Sequence, residues 1–316
     1  MNKFQVGLLT ITLAASTAQA APVFRRPPTA AERAAEKAEQ TFLPPNNLHL
    51  RDRVENVANV NEEQFHKIID DVITFFTPVV EAYGVKLEVN KLWDNPTVNA
   101  SASQDALKKI WYVNMYGGLA RRPEVTPDGF ALVVCHELGH HLGGVAFKGE
   151  MWASSEGQSD YWATQVCARR LWARDSFRNR RARNEVDQPA KVACDMAWGT
   201  ANERELCYRV TEGGMSLAHL LASLGGQPKP KFETPDPRVV TVTSTAHPQA
   251  QCRLDTYFAG ALCTKAFDLN KIPGRKHPKG QLSAEAEAET VASSCTTAGG
   301  DKIGLRPACW FKSVLN

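Results

Sequence analysis

The chain has 316 residues, 43% hydrophobic and 22% charged, with a formal net charge of +3. This is the ordinary balance of a globular protein with a sizeable core, long enough for one large domain or two small ones. The charge is too mild to argue for nucleic acid, and no such partner is expected.

The N-terminus, MNKFQVGLLTITLAASTAQA, reads as an export signal. Lys3 supplies a positive start, Phe4 to Ala15 an apolar stretch, and Ala18-Gln19-Ala20 a cleavage site. The stretch is too short for a comfortable membrane span, and no later segment is apolar enough to cross a bilayer. No cysteine follows the cleavage site, which argues against a lipid anchor. A bacterial periplasmic or secreted protein is therefore expected, cut near Ala20. Its eight cysteines (135, 167, 194, 207, 252, 263, 295 and 309) then imply disulfides. Their spacing suggests two groups, 135–207 and 252–309, with the last four paired among themselves.

Residues 21–60 are rich in Pro, Ala and charge and read as an N-terminal arm, packed on the surface or partly mobile. A short helix over TAAERAAEKAEQ is expected there, broken by FLPPNN. From Asn61, a plausible cap, Phe65, Ile68, Ile69, Val72, Ile73 and Phe76 follow helical spacing, and Pro78 is expected to kink or end the helix. VKLEVNKLW alternates as a strand, and KKIWYVNMYGG reads as a second strand rich in β-branched and aromatic residues. Thr126-Pro127-Asp128 opens a helix that should stop at Gly143-Gly144. Ser154 or Ser155 caps another over EGQSDYWATQVCARRLWA. Further helices are expected at 203–224, 249–263 and around 284–291, within a loop-rich tail from 271. The seven arginines between 169 and 183 read as a solvated helix end, or alternatively as a surface for phospholipid or an acidic partner.

The chemistry concentrates in VVCHELGHHLGG, residues 133–144. His136 and His140 stand at i and i+4, on one face of the expected helix, where two imidazoles can grip one Zn²⁺. Glu137 beside them can take a proton from zinc-bound water, as in H-E-x-x-H peptidases. The bland alternative is a pair of satisfied core histidines. His141 is turned about 100° from His140 and reads as a structural contact. Cys135 is likewise off the metal face, and a disulfide is favoured over an inhibitory thiolate.

A catalytic zinc needs a third protein ligand and an open position. A third histidine in H-E-x-x-H-x-x-G-x-x-H is ruled out, because Gly143 fits but Ala146 stands at the last place. The next helix offers Glu156 as ligand and Asp160, four residues on, to orient His136 or His140 by its second ring nitrogen. The alternative reading makes both acids complements of a helix dipole.

HELGH followed by EGQSD resembles the M48 family of zinc metallopeptidases, a gluzincin-type group that includes CAAX prenyl proteases and periplasmic quality-control proteases. TVNASAS (97–103) is similar to that family's N-A-x-A segment leading into an edge strand. AHPQAQCR (246–253) is similar to its H-P-x-x-x-x-R segment, with His247, Pro248 and Arg253 at matching spacing. The resemblance covers about 95–270. It implies an α+β zincin-like fold over 61–270, mostly helical with a small sheet, followed by a disulfide-bearing tail over 271–316. It also implies one Zn²⁺ per chain on His136, His140 and Glu156, with Glu137 as general base. His247 or Arg253 would assist near the scissile carbonyl or shape the site. The chain departs from the family in lacking transmembrane helices and in its short step from His140 to Glu156.

The expected function is therefore an exported zinc metalloendopeptidase acting on protein or peptide substrates. Residues 109–116 are expected to be an edge strand to which such a peptide adds; the alternative is an ordinary internal strand. Two other functions compete. One is a non-proteolytic, chaperone-like periplasmic protein whose zinc site is closed by a fourth ligand such as His247. The other is a zinc hydrolase acting on a non-peptide bond. The substrate's identity and the oligomeric state carry no signature in the residues.

Overall fold

A computed structural model of the protein describes residues 39–51 and 59–315. The export signal and most of the expected arm helix lie outside the described residues. The fold is mixed α/β, with helices packed around one four-stranded sheet.

Helix α1 (Glu62–Glu81) begins in a capping box: the Asn61 side chain accepts from Gln64 N–H, and the Gln64 side chain accepts from Asn61 N–H. It buries Phe65, Ile69, Val72, Phe76 and Val80, a stripe at helical spacing. Pro78, expected to kink or end the helix, lies inside it and does not end it. Its ring faces solvent one turn from the end, and buried Val80 carries the helix on to Glu81.

Strands β2 (Lys86–Leu92) and β4 (Ile110–Tyr116) pair in parallel. β3 (Ala100–Asp105) pairs antiparallel with β4, and β1 (Gln40–Thr41) antiparallel with β3. The order β1-β3-β4-β2 corrects one expectation: residues 109–116 are not an edge. Trp111, Val113 and Met115 are buried, as suits a central strand covered by helices. Beside the histidine helix lies β3, an Ala/Ser-rich strand of weak β-propensity, and the arm itself supplies the short edge strand beyond it. The arm is thus not confined to the surface: Phe42 and Leu43 are buried, Pro44-Pro45 interrupts the pairing, and a single bridge, His49 to Thr97, follows.

Helix α2 (Pro127–Leu142) starts as expected, Thr126 Oγ1 accepting from Gly129 N–H at 3.0 Å. Every residue from Gly129 to Leu142 is buried, so this helix is the central rod of the fold. It packs on α1, on β3 and β4, and on helix α3 (Glu156–Trp162). Ser155 caps α3, which runs into a π-helical turn (Ala163–Ala168) and a last α turn (Arg169–Trp172). The widened turn lies where Gly260 packs against Thr164 and Tyr161. The arginine run is less uniformly solvated than expected. The Arg169 guanidinium lies 3.6 Å over the Trp198 ring, and Arg170 donates to the Phe267 carbonyl at 2.7 Å, whereas Arg181 pairs with Glu185 in solvent.

Helices α4 (Ser176–Ala182) and α5 (Gln188–Ala197) precede the long α6 (Ala201–Gly225), which ends at Gly226 in the left-handed conformation. α7 (Ala250–Leu262) packs on α6 and α3. The tail returns to the centre. Fully buried Trp310 covers Gly157, where an added Cβ would lie 2.3 Å from the ring, and Arg306 donates to the carbonyl of Val145.

The cysteines pair as 135–167, 194–207, 252–309 and 263–295, within the two expected groups. Four such bonds fit an oxidising compartment. Among the described residues no helix is long and apolar enough to cross a membrane.

Loop length ranks two of these bonds. Cys252–Cys309 spans 57 residues and Cys194–Cys207 only 13. Converting the first pair to serine should cost about 4 kcal/mol of unfolding free energy, and the second about 3 kcal/mol. Urea titration of the two double variants measures the ordering, and a reversed order would contradict it.

Candidate metal centre

The α-helical repeat brings His136 and His140 to one face of α2, and their rings meet edge to face at 4.7 Å. Ser155, the cap of α3, places Glu156 at the first helical position, against both rings. The three side chains offer ligand atoms within 4.8 Å of one another and could hold a metal ion. Glu156 carboxylate oxygens lie 3.3 Å from His136 Nε2 and 3.9 Å from His140 Nε2. The close crossing of α2 and α3 depends on Gly139, where a Cβ would come within 2.9 Å of the Ser159 backbone.

Each imidazole is held from behind. His136 Nδ1–H donates to Asp160 at 2.7 Å, and His140 Nδ1–H donates to the Ser154 carbonyl at 2.8 Å, with Ser159 Oγ a further 3.0 Å contact. A carboxylate and a carbonyl can only accept, so both Nδ1 atoms carry a proton and each Nε2 is the ring atom turned toward the cluster. Asp160 is in turn gripped by Arg253 from α7, Nε and Nη2 each 2.6 Å from a carboxylate oxygen.

His136, Glu137, His140, Glu156 and Asp160 are all 0% exposed. His136 Nε2, His140 Nε2, Glu156 Oε2 and both Glu137 oxygens have no hydrogen-bond partner among the described residues. Burial opposes a charge on His136, but the Asp160 carboxylate prevails and carries the ring up to about 9. Burial drives His140 down to about 3 and pushes Glu137 up to about 8, His136 opposing the latter shift and Glu156 reinforcing it. Glu156 stays well below the usual carboxylate range despite burial, because His140 and His136 lie beside it.

The other residues singled out in the sequence fall around this cluster. His247 Nε2–H donates to the Thr41 carbonyl at 2.7 Å and lies 3.5 Å from Glu156 Oε2, at the rim of the site. Arg253 stands behind Asp160, and its Nη1 donates to the Phe42 carbonyl at 2.8 Å. His141 is outside the cluster. Its ring stacks between Trp111 and Trp152, Gln104 donates to its Nδ1 at 3.1 Å, and its Nε2–H reaches the Tyr112 carbonyl at 3.2 Å. Cys135 bonds Cys167 and fastens α2 to the π-helical turn.

Three participants were not picked out by sequence reasoning. Ser159 could have been found, since it sits three residues after Glu156 on a short helix. Ser154 acts through its backbone carbonyl, which leaves no sequence signal. Lys148, which donates to Glu156 Oε1 at 2.8 Å and Gln40 Oε1 at 2.6 Å, comes from a loop with no periodicity.

If this cluster holds a metal ion, Asp160→Asn should weaken its affinity, probed with Zn²⁺, about 10–100-fold, because the amide no longer fixes the His136 tautomer. It also leaves Arg253 buried without a counter-charge, at a cost of about 3–5 kcal/mol. Competition against a chromophoric chelator and a thermal melt measure the two effects. Unchanged zinc affinity would remove Asp160 from the orienting role.

No family model, no curated protein and no solved structure matches this chain, so the functional reading rests on the geometry of these residues.

Proposed function

We infer that the protein is a zinc-dependent metalloendopeptidase of zincin-like, M48-like type, exported to an oxidising compartment such as the periplasm. The observation that carries this reading is the convergence of unpartnered buried atoms from His136, His140, Glu156 and Glu137. Buried and unsatisfied, such groups cost on the order of 1–3 kcal/mol each. A zinc ion takes two imidazole nitrogens and one carboxylate oxygen as ligands and relieves three of them at once. When bound, it polarises a substrate carbonyl and acidifies a water molecule.

The chain's own residues do the rest. Glu137 follows His136 directly and keeps both oxygens unpaired; with a cation beside it favouring the carboxylate over the neutral acid, it would accept the proton of the attacking water and return it to the leaving amine. Asp160 keeps the His136 proton on Nδ1, and the Ser154 carbonyl does the same for His140. Arg253 is a positioning residue that acts through Asp160. His247 already donates to a backbone carbonyl at the rim, the contact that would steady a bound peptide. The substrate is a protein or peptide segment.

A second reading is a closed, non-proteolytic zinc site with His247 as fourth ligand. The 3.5 Å separation of His247 Nε2 from Glu156 favours it. X-ray absorption on the zinc-loaded protein separates the two: three protein ligands and one water-derived oxygen for the peptidase, three imidazoles for the closed site.

Glu137→Gln should retain zinc yet lower turnover of an unstructured protein substrate about 10²–10⁴-fold. Removing zinc with a chelator should abolish turnover, and adding it back should restore it. Full activity in Glu137→Gln would sink the mechanism.

A further inference from the structure

The site has no open face, and the segment that covers it belongs to the chain itself. Residues 39–43 run antiparallel along β3, with Gln40 opposite Ala102, Thr41 opposite Ser101, and Phe42 N–H donating to the Ala100 carbonyl at 3.1 Å. The Asn99 side chain clamps Leu43 on both backbone groups, accepting from its N–H at 2.9 Å and donating to its carbonyl at 3.3 Å. His247 and Arg253 hold the Thr41 and Phe42 carbonyls. Lys148 ties the Gln40 side chain to Glu156, and Ser101 donates to Glu39.

Most of these contacts are to backbone and read no particular sequence. Beside the polar contacts of Glu39 and Gln40, one apolar side chain is read. The Phe42 ring lies edge-on to His136 at 5.2 Å and under the Arg253 guanidinium at 4.3 Å, fully buried. Backbone pairing along an edge with one buried apolar anchor is how an extended peptide is recognised. Pairing is interrupted at Pro44-Pro45, which have no N–H to offer, and resumes only beyond Asn47, where His49 bridges Thr97.

We propose that Glu39–Leu43 is a built-in occupant of the peptide-binding edge, which holds the site shut until an extended segment with an aromatic or large aliphatic residue in the place of Phe42 displaces it. The consequence for activity rests on the peptidase reading; the occupancy does not. Tethering keeps the arm at an effective concentration of about millimolar, so a free peptide competes poorly while the arm is attached.

The test inserts a site-specific protease sequence between Asn46 and Asn47, both exposed, in the full zinc-loaded chain. Clipping and removal of the fragment should raise hydrolysis of unstructured casein about tenfold or more. A synthetic peptide of residues 39–46 should bind the clipped chain and reverse the gain. Equal rates before and after clipping, or a peptide that does not bind, would overturn the proposal. If neither form cuts casein, the peptidase reading fails, and binding of the labelled peptide still decides whether the arm occupies the edge. Should the clipped chain unfold, hydrogen exchange on the intact chain decides. Phe42 N–H should exchange at least about tenfold faster than Val113 N–H in the central strand, and equal protection would show a permanent strand.

Discussion

The buried ion pair between Arg253 and Asp160 is the contact on which the site depends. Both side chains are fully buried, and removing each charge from water costs several kcal/mol. Such a pair persists only if every polar atom near it is used. Here two charge-assisted bonds of 2.6 Å join the fork to the carboxylate, and the remaining atoms reach His136 and the Phe42 carbonyl. One pair therefore couples α7, α3, α2 and the arm. None of the three helices can shift alone without straining this pair or the His136 bond, whereas the arm contributes only the Phe42 carbonyl, so the orientation of His136 inherits the rigidity of the helical junction.

The front of the same histidines follows the opposite rule. Their Nδ1 atoms are saturated, while Nε2 of each, one Glu156 oxygen and both Glu137 oxygens point into a space that no described protein atom satisfies. A core built only for stability does not leave this many buried groups unpaired side by side. Small residues make the arrangement possible: Gly139 lets α3 approach α2, and Gly157 lets Trp310 of the tail close over α3. Arg275 adds two bonds from the tail, to the carbonyls of His141 and Trp152, which fix the end of α2 against its loop.

Much of the His/Glu cluster was legible in the residues because its signals are local. His136 with His140, and Glu156 with Asp160, are i, i+4 pairs, and any α-helix puts such pairs on one face. The caps at Thr126 and Ser155 are equally local, since a hydroxyl reaches only the first turn after it. Where local rules failed, a tertiary contact outweighed them. Pro78 was tolerated because buried Val80 holds the last turn. β3 escaped notice because Ala and Ser carry little β-propensity, although their small side chains suit a strand lying against the histidine helix.

Residue types and short spacings were thus enough to specify the histidine pair, the acidic helix beside it and the grouping of the cysteines. They did not specify the strand order, the reach of Lys148, or the place of the arm over the site. Those depend on partners far apart in the chain: β1 and β3 pair across some sixty residues, and His247 meets Thr41 across 206. Backbone pairing carries no side-chain signature, so such contacts become visible only when the packed fold brings the partners together.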